Sequence, residues 1–382
     1  MVFNNYLIWS LFLPLGTTWS VDSIRKSLKN NLYSMVHYRY FLILFFSYNI
    51  LTGQQYFTLN HGGVTREYYV SYPEANTEPS PLIINMHGFG GDAIGQYYYS
   101  QMDYYALPLN IAVVYPEGIN NSWNVGTFWD NNTNDDIGFI SCLIDTIASD
   151  FEIDLERVYA CGMSNGGYMA YELACELSDK ITAFGSVTGN FMLNTEQFNP
   201  EYQVCEIFYE VPIIHLHGNL DPIVNYYPPS FDGALTISES IDYWTDINGL
   251  NEVSIAMIQG SGYQHSAEKF VYHRENTNAK FIHYKIINGG HEWFGSPYAY
   301  PSVISANQEL INFFLEYELS GLGCLPTNGD FNNDDVVDLL DFTLVLTFLV
   351  DPDFSYSNVC FDVNQDGHAD IMDLFTVIDL VY

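Results

Sequence analysis

Apolar residues along this chain follow two rhythms. Residues 55 to 72 alternate in polarity on either side of Asn60-His61-Gly62-Gly63, which predicts a hairpin of two strands. Pro81 to Met86, Asn110 to Pro116 and Arg157 to Cys161 are short apolar runs of buried-strand length, and Ile181 to Gly189, Val211 to Gly218 and Phe281 to Gly289 add three more. Between and after these runs the spacing becomes helical, at 135–150 behind an acidic cap, at 168–178, at 237–248 and at 307–318. Strands alternating with helices imply an α/β unit, a mostly parallel sheet with helices on both faces, over residues 54–320.

The pattern then changes. Residues 321–329 read as a linker, and residues 330–382 hold a repeat. Asp330, Asn332, Asp334, Asp338 and Asp341 occupy positions 1, 3, 5, 9 and 12 of a loop, and Asp362, Asn364, Asp366, Asp370 and Asp373 repeat them. Oxygen ligands at that spacing wrap one Ca²⁺ each, with the backbone carbonyls of Val336 and His368 at position 7. Solvated acidic turns are the alternative. Each loop runs into an apolar helical stretch, so the expected unit is small, all-α and calcium-binding. Neither repeat alone buries enough surface to fold, which couples metal binding to folding.

Charge sharpens the division. Eleven Lys and Arg face 46 Asp and Glu, for a formal net charge of −35. Such a surface repels nucleic acid and other polyanions, so no nucleic-acid partner is expected. The last basic side chain apart from histidine is Lys285, so everything beyond it is purely anionic. Six cysteines are too few for a disulfide scaffold. Cys175 and Cys205 can pair within the main unit and Cys324 with Cys360 across the repeat, while Cys142 and Cys161 read as small buried hydrophobes. Residues 1–53 form an N-terminal extension in which Met35, Arg39 and the apolar run Phe41 to Ile50 have signal-peptide proportions. Translation is expected to start at Met35, and the mature chain to begin near Gln54, outside the cytoplasm and free of the membrane after cleavage. A membrane anchor is the competing reading.

Gly162-Met163-Ser164-Asn165-Gly166 fits G-x-S-x-G, and it follows a strand and opens a helix as a nucleophile elbow requires. A serine hydroxyl attacks only with a base and an orienting carboxylate beside it. Asp221 stands just past one predicted strand and His291 in a glycine-rich loop past another, which places all three beyond strand carboxyl ends. His291 would take the serine proton and Asp221 would fix its tautomer. Asp242 or Asp246 remain as alternative acids, and His265, His273 or His283 as alternative bases. His87, His215 and His217 read as loop or core histidines. The backbone N–H of Asn165 and that of Phe89, in the His87-Gly88-Phe89-Gly90-Gly91 loop, are candidates for the oxyanion site, and Trp293 for a wall of the substrate cleft.

These motifs, with Asp135-Asp136-Ile137-Gly138, His217-Gly218-Asn219-Leu220-Asp221 and Gly289-Gly290-His291-Glu292-Trp293, resemble the polyhydroxybutyrate depolymerase-like esterases, a group that includes feruloyl and acetylxylan esterases. The similarity spans residues 57 to about 317, and it implies an α/β-hydrolase fold with a triad at Ser164, Asp221 and His291. Members usually carry Thr and Pro where this chain has Glu292 and Phe294, which bears on substrate preference. The repeat resembles a type I dockerin, which implies structural Ca²⁺ and a cohesin-type scaffold or cell-surface partner. Together they imply a secreted serine esterase acting on esterified polysaccharide, with no cofactor for catalysis. A polyester depolymerase or a peptidase on the same fold is the runner-up, and a binding or adhesion protein with a vestigial triad is the alternative outside enzymes.

Overall fold

The computed structural model describes residues 54–74, 78–126, 131–192, 205, 207, 209–230, 233–262, 264–275, 278–323, 325, 331, 336–350, 361–364 and 369–381. The expected signal segment and the Cys324 to Cys360 pair lie outside them.

Strands β1 (Gln55–His61) and β2 (Val64–Ser71) form the expected antiparallel hairpin. Gly62 and Gly63 turn it with φ of 58° and 82°, a region that side chains with a Cβ rarely enter. The other strands are β3 (Ser80–Met86), β4 (Ala112–Pro116), β5 (Ile153–Met163), β6 (Ala183–Val187), β7 (Ile213–Gly218), β8 (Glu252–Ile258), β9 (Ala267–His273) and β10 (Phe281–Ile286). They make one ten-stranded sheet in the order β1-β2-β4-β3-β5-β6-β7-β10-β9-β8. The run from β4 to β10 is parallel, and antiparallel pairs flank it on both sides. The expected mostly parallel sheet is therefore present. The hairpin of β8 and β9 is an addition: its first strand is mostly apolar from Val253 to Ile258 but exposed.

The helices are α1 (Ala93–Ser100), α2 (Asp103–Ala106), α3 (Asp136–Asp150), α4 (Asn165–Glu176), α5 (Ile237–Ile247), α6 (Ala306–Phe314), α7 (Leu339–Val350) and α8 (Ile371–Val381). Side chains alternate across a strand, so each central strand feeds two cores. Leu82, Ile84, Val158 and Ala160 meet Phe139, Ile140 and Leu143 of α3 and Met169 and Leu173 of α4 on one face. Ile83, Val113, Tyr159 and Cys161 meet Ala93 of α1 and Leu310 and Phe314 of α6 on the other. Each such aliphatic or aromatic side chain contributes about 1.5–3 kcal/mol on burial. Continuous apolar strands are what two covered faces demand.

Asp135 caps α3 as expected, accepting from the Gly138 amide at 2.8 Å. Asp136 does something else. Its Oδ1 accepts from Arg66 Nη2 of β2 at 2.7 Å, and its Oδ2 accepts from the Asn124 amide at 2.7 Å and the Asn132 side chain at 3.1 Å. The Arg66 guanidinium also lies 3.7 Å from the centroid of the Phe139 ring. Both ionic groups are buried, and burial pushes Arg66 down and Asp136 up from their ordinary values. The pair ties the first hairpin, the loop before α3 and α3 itself together.

Cys175 and Cys205 form the expected disulfide, with Cα atoms 4.9 Å apart, while Cys142 and Cys161 are free. Only Cys161 of these two is fully buried. Beyond residue 330, α7 and α8 pack around Phe331, Val345, Phe361, Val363, Leu374 and Val377, with the Phe348 and Phe361 rings stacked at 4.5 Å. Among the described residues no helix is long and apolar enough to cross a membrane.

Candidate active site

Ser164 sits where β5 ends and α4 begins, with φ 54° and ψ −120°. That conformation is strained for a residue with a Cβ, and it persists because its surroundings fix it. The Ser164 amide donates to Val187 O at the tip of β6, and its carbonyl accepts from the Gly167 and Tyr168 amides that start the helix. The motif glycines are required by close approach. A Cβ on Gly162 would lie 2.3 Å from Gly166 O, and one on Gly166 would lie 2.4 Å from Met86 O.

The loop after β3 lies against this turn. A Cβ on Gly88 would stand 3.3 Å from Ser164 Cβ. The loop is held by His87, whose Nε2 accepts from the Gly118 amide at 3.0 Å and whose Nδ1 donates to Gly88 O at 2.9 Å. Burial lowers the His87 pKa, consistent with the neutral ring those bonds require. Asn165 adds a clamp that sequence reasoning missed. Its side chain accepts from the Trp123 amide at 2.7 Å and donates to Trp123 O at 3.1 Å, while Trp123 Nε1 donates to His87 O at 2.9 Å. Its backbone N–H is the first of α4, one of the amides every helix start leaves without an intrahelical acceptor. Phe89 follows Gly88, with its ring exposed.

Asp221 and His291 come together. His291 Nδ1 and Asp221 Oδ2 are 2.8 Å apart, joining the loop after β7 to the loop after β10. Asp221 Oδ1 accepts from the Ile223 and Val224 amides at 2.8 and 2.9 Å. Burial opposes ionisation of Asp221, but hydrogen bonds from His217 and His291 outweigh it and hold the carboxyl well below its usual range. His217 was expected to fill the core; its Nε2 lies 3.3 Å from Asp221 Oδ2. Nothing in the one-dimensional pattern distinguishes that ring from His215 two residues earlier.

The alternative bases are engaged elsewhere. His283 is buried within β10 and bonded to Tyr226, His265 faces Glu292 at 3.8 Å, and His273 faces Glu252. Asp242 and Asp246 lie within α5. Trp293 requires correction: it is fully buried and its indole N–H donates to Asn307 at 2.8 Å, so it belongs to the core rather than to a cleft wall. Glu292 is pinned by the Gly290 and Tyr300 amides, at 3.2 and 2.7 Å, which shapes the loop carrying His291.

In the C-terminal repeat, Val336, Asp338, Asp341, Asp362, Asn364, Asp370 and Asp373 are described, whereas Asp330, Asn332, Asp334, Asp366 and His368 lie outside the described residues. Among the described residues no three acidic, histidine or cysteine side chains gather as a metal site. The two loops do share a pattern: Asp341 Oδ2 accepts from the Asp338 amide at 2.8 Å, and Asp373 Oδ2 from the Asp370 amide at 2.6 Å.

Comparison with known proteins gives two family matches. Residues 70–231 match the phospholipase/carboxylesterase family, and residues 328–381 match the dockerin type I domain. A bifunctional acetylxylan esterase/xylanase of Neocallimastix patriciarum is 29% identical over 164 residues, 43% of this chain and 22% of its own length. Feruloyl esterase C of Emericella nidulans is 24% identical over 208 residues, 52% of this chain and 67% of its own. An acetyl xylan esterase structure from Aspergillus awamori aligns with 69% of this chain and 99% of its own, at 13% identity and a TM-score of 0.48.

Proposed function

We propose that this chain, in which a phospholipase/carboxylesterase domain is joined to a dockerin type I domain, is a secreted serine ester hydrolase that removes feruloyl or acetyl groups from plant polysaccharide such as xylan. The observation that carries this reading is the Asp221–His291 hydrogen bond at the tips of β7 and β10, two and three strands along from the strained Ser164 turn. The acyl group comes from the names of the relatives, which act on acetylated xylan or feruloyl esters.

The chemistry follows from those groups. Ser164 Oγ attacks the ester carbonyl carbon as His291 Nε2 takes its proton, and the imidazolium is held by Asp221. The carbonyl oxygen becomes an oxyanion beside the amides of Asn165 and Phe89. Collapse breaks the ester C–O bond, and His291 returns the proton to the departing alcohol. Water then repeats the sequence on the acyl-serine and frees the acid. No other cofactor is needed for these steps. We take residues 54–320 as the hydrolase domain, 321–329 as linker and 330–382 as the attachment domain.

Labelling tests the nucleophile directly. A fluorophosphonate reagent should add one adduct at Ser164, and p-nitrophenyl acetate and methyl ferulate should be hydrolysed faster than hydroxybutyrate oligomers. No adduct, or no turnover of any ester, overturns the hydrolase reading. Preference for the oligomers would favour a polyester depolymerase.

The loops fit Ca²⁺ by their chemistry. Asp341 and Asp373 are wholly buried carboxylates in a segment without a lysine or arginine, so backbone amides and a cation are what remain to offset them. Asp330, Asn332, Asp334, Val336, Asp338 and Asp341 would hold one ion, and Asp362, Asn364, Asp366, His368, Asp370 and Asp373 the other. A bound ion would supply charge compensation and cross-link each loop. Titration calorimetry of the full chain should count two Ca²⁺, and EDTA should remove a calorimetric unfolding transition while leaving ester hydrolysis intact. Loss of hydrolysis with EDTA would contradict this division of labour. The partner expected for the attachment domain is a cohesin-type scaffold or cell-surface module.

A further inference from the structure

The buried histidines of β7 form a connected line that the triad alone does not use. Tyr171 of α4 has its hydroxyl 2.7 Å from His215 Nδ1. His215 Nε2 is 3.0 Å from His217 Nδ1, and His217 Nε2 is 2.9 Å from Val224 O and 3.3 Å from Asp221 Oδ2. That carboxylate oxygen is the one that meets His291 Nδ1. His215 and His217 are two residues apart on one strand, so both rings leave the same face of the sheet.

One carbonyl sets the direction of every proton in this line. Val224 O can only accept, so His217 Nε2 carries a proton. In the neutral tautomer that carries this proton, His217 Nδ1 is bare and accepts from His215 Nε2–H. His215 Nδ1 is then bare in turn and accepts from the Tyr171 hydroxyl. Burial pushes His215 well below and Tyr171 well above their ordinary values, so neither ionises near neutral pH and the polarity is fixed.

We propose that His217 is a positioning residue for the hydrolase: its Nε2–H, kept on that nitrogen by Val224 O and backed by His215 and Tyr171, is shared between Val224 O and the catalytic carboxylate Asp221 and aims the Asp221 Oδ2 at His291. This rests on the triad reading and deepens it. A carboxylate held only by His291 could swing about its χ angles. Two backbone amides on Oδ1 and two imidazole donors around Oδ2 leave it one orientation. The other titratable groups facing the two rings are His283 of β10, beside His215, and Tyr226 of the loop after β7, beside His217; Lys285 Nζ lies 5.7 Å from the Tyr226 ring. The His283 pKa is lowered to about 3, chiefly by burial, so His283 adds no charge near neutral pH.

The test compares His217→Leu, His217→Gln and Tyr171→Phe in the full chain, with Ser164→Ala as the inactive control. For His217→Leu, kcat should fall roughly tenfold to hundredfold with KM unchanged, as expected for one lost charge-assisted hydrogen bond. The acid limb of kcat/KM should move to higher pH, because a carboxylate with one donor fewer holds the protonated imidazole more tightly. His217→Gln retains an N–H that can reach Asp221 and should recover most of kcat. Tyr171→Phe should shift the acid limb in the same direction by less. If the native chain is no faster than Ser164→Ala, the hydrolase reading itself has failed. If the native chain is active and a normally melting His217→Leu keeps its kcat and acid limb, the inference is overturned. Should His217→Leu not fold, an unmoved acid limb in Tyr171→Phe overturns it equally.

Discussion

A Ser164→Ala chain is expected to lose about 10⁶-fold in kcat, because an activated nucleophile and its base act as a unit and removing either forfeits nearly all of the covalent route. The fold should not register the change. Alanine keeps the Cβ that stands beside Gly88, and it bears the same strained φ of 54° as serine. The melting temperature should therefore match the native chain within a degree or two, and fluorophosphonate labelling should vanish. Asp221→Asn is the companion, with a loss of about 10⁴-fold through the wrong histidine tautomer. A Ser164→Ala chain that kept its rate would remove the serine from the mechanism. It would send the search for a nucleophile to other residues of the strand tips.

The second large effect concerns stability. Asp136→Ala should destabilise the chain by about 3–5 kcal/mol, the range for stranding one member of a buried ion pair. The consequences can be followed residue by residue. The Arg66 guanidinium would keep its cation–π contact with Phe139 but lose its anion, and the Asn124 amide and Asn132 side chain would lose an acceptor. Urea unfolding followed by tryptophan fluorescence measures the loss. Replacing both partners together, Arg66→Met with Asp136→Leu, should recover most of it, since an apolar pair of similar volume carries no desolvation cost. Equal destabilisation by the single and double changes would show that the hydrogen bonds to Asn124 and Asn132, and not the stranded charge, dominate.

The central sheet was legible because burial on both faces forces unbroken apolar strands, and each of the six expected runs lies on a strand of the observed sheet. The β8–β9 hairpin was not: Val253 to Ile258 of β8 are mostly apolar yet exposed, so their hydrophobicity reports no core, and the pairing with β9 alone defines the strand. Of the proposed triad, the Asp221–His291 pair was readable because both residues stand past a strand end in a turn or glycine-rich loop, and the structure joins them; Ser164 lies at the end of β5, where the G-x-S-x-G pattern put it. Trp293 misled for a physical reason. An indole two residues past His291 suits a cleft wall or a core equally, and only the Asn307 side chain accepting from its N–H decides. The role of His217 was hidden because imidazoles at i and i+2 on a buried strand differ only in what lies at the far side of the ring.

Asp221 and His291 are 70 residues apart in sequence and meet only because β10 lies beside β7, itself reached by way of β5 and β6. With Ser164 and His291 in their proposed roles, a partly synthesised chain lacking β10 has the hydroxyl but no base to activate it. Catalysis is therefore among the last properties this polypeptide acquires, and an unfinished or misassembled copy would be chemically silent toward any ester it met on the way.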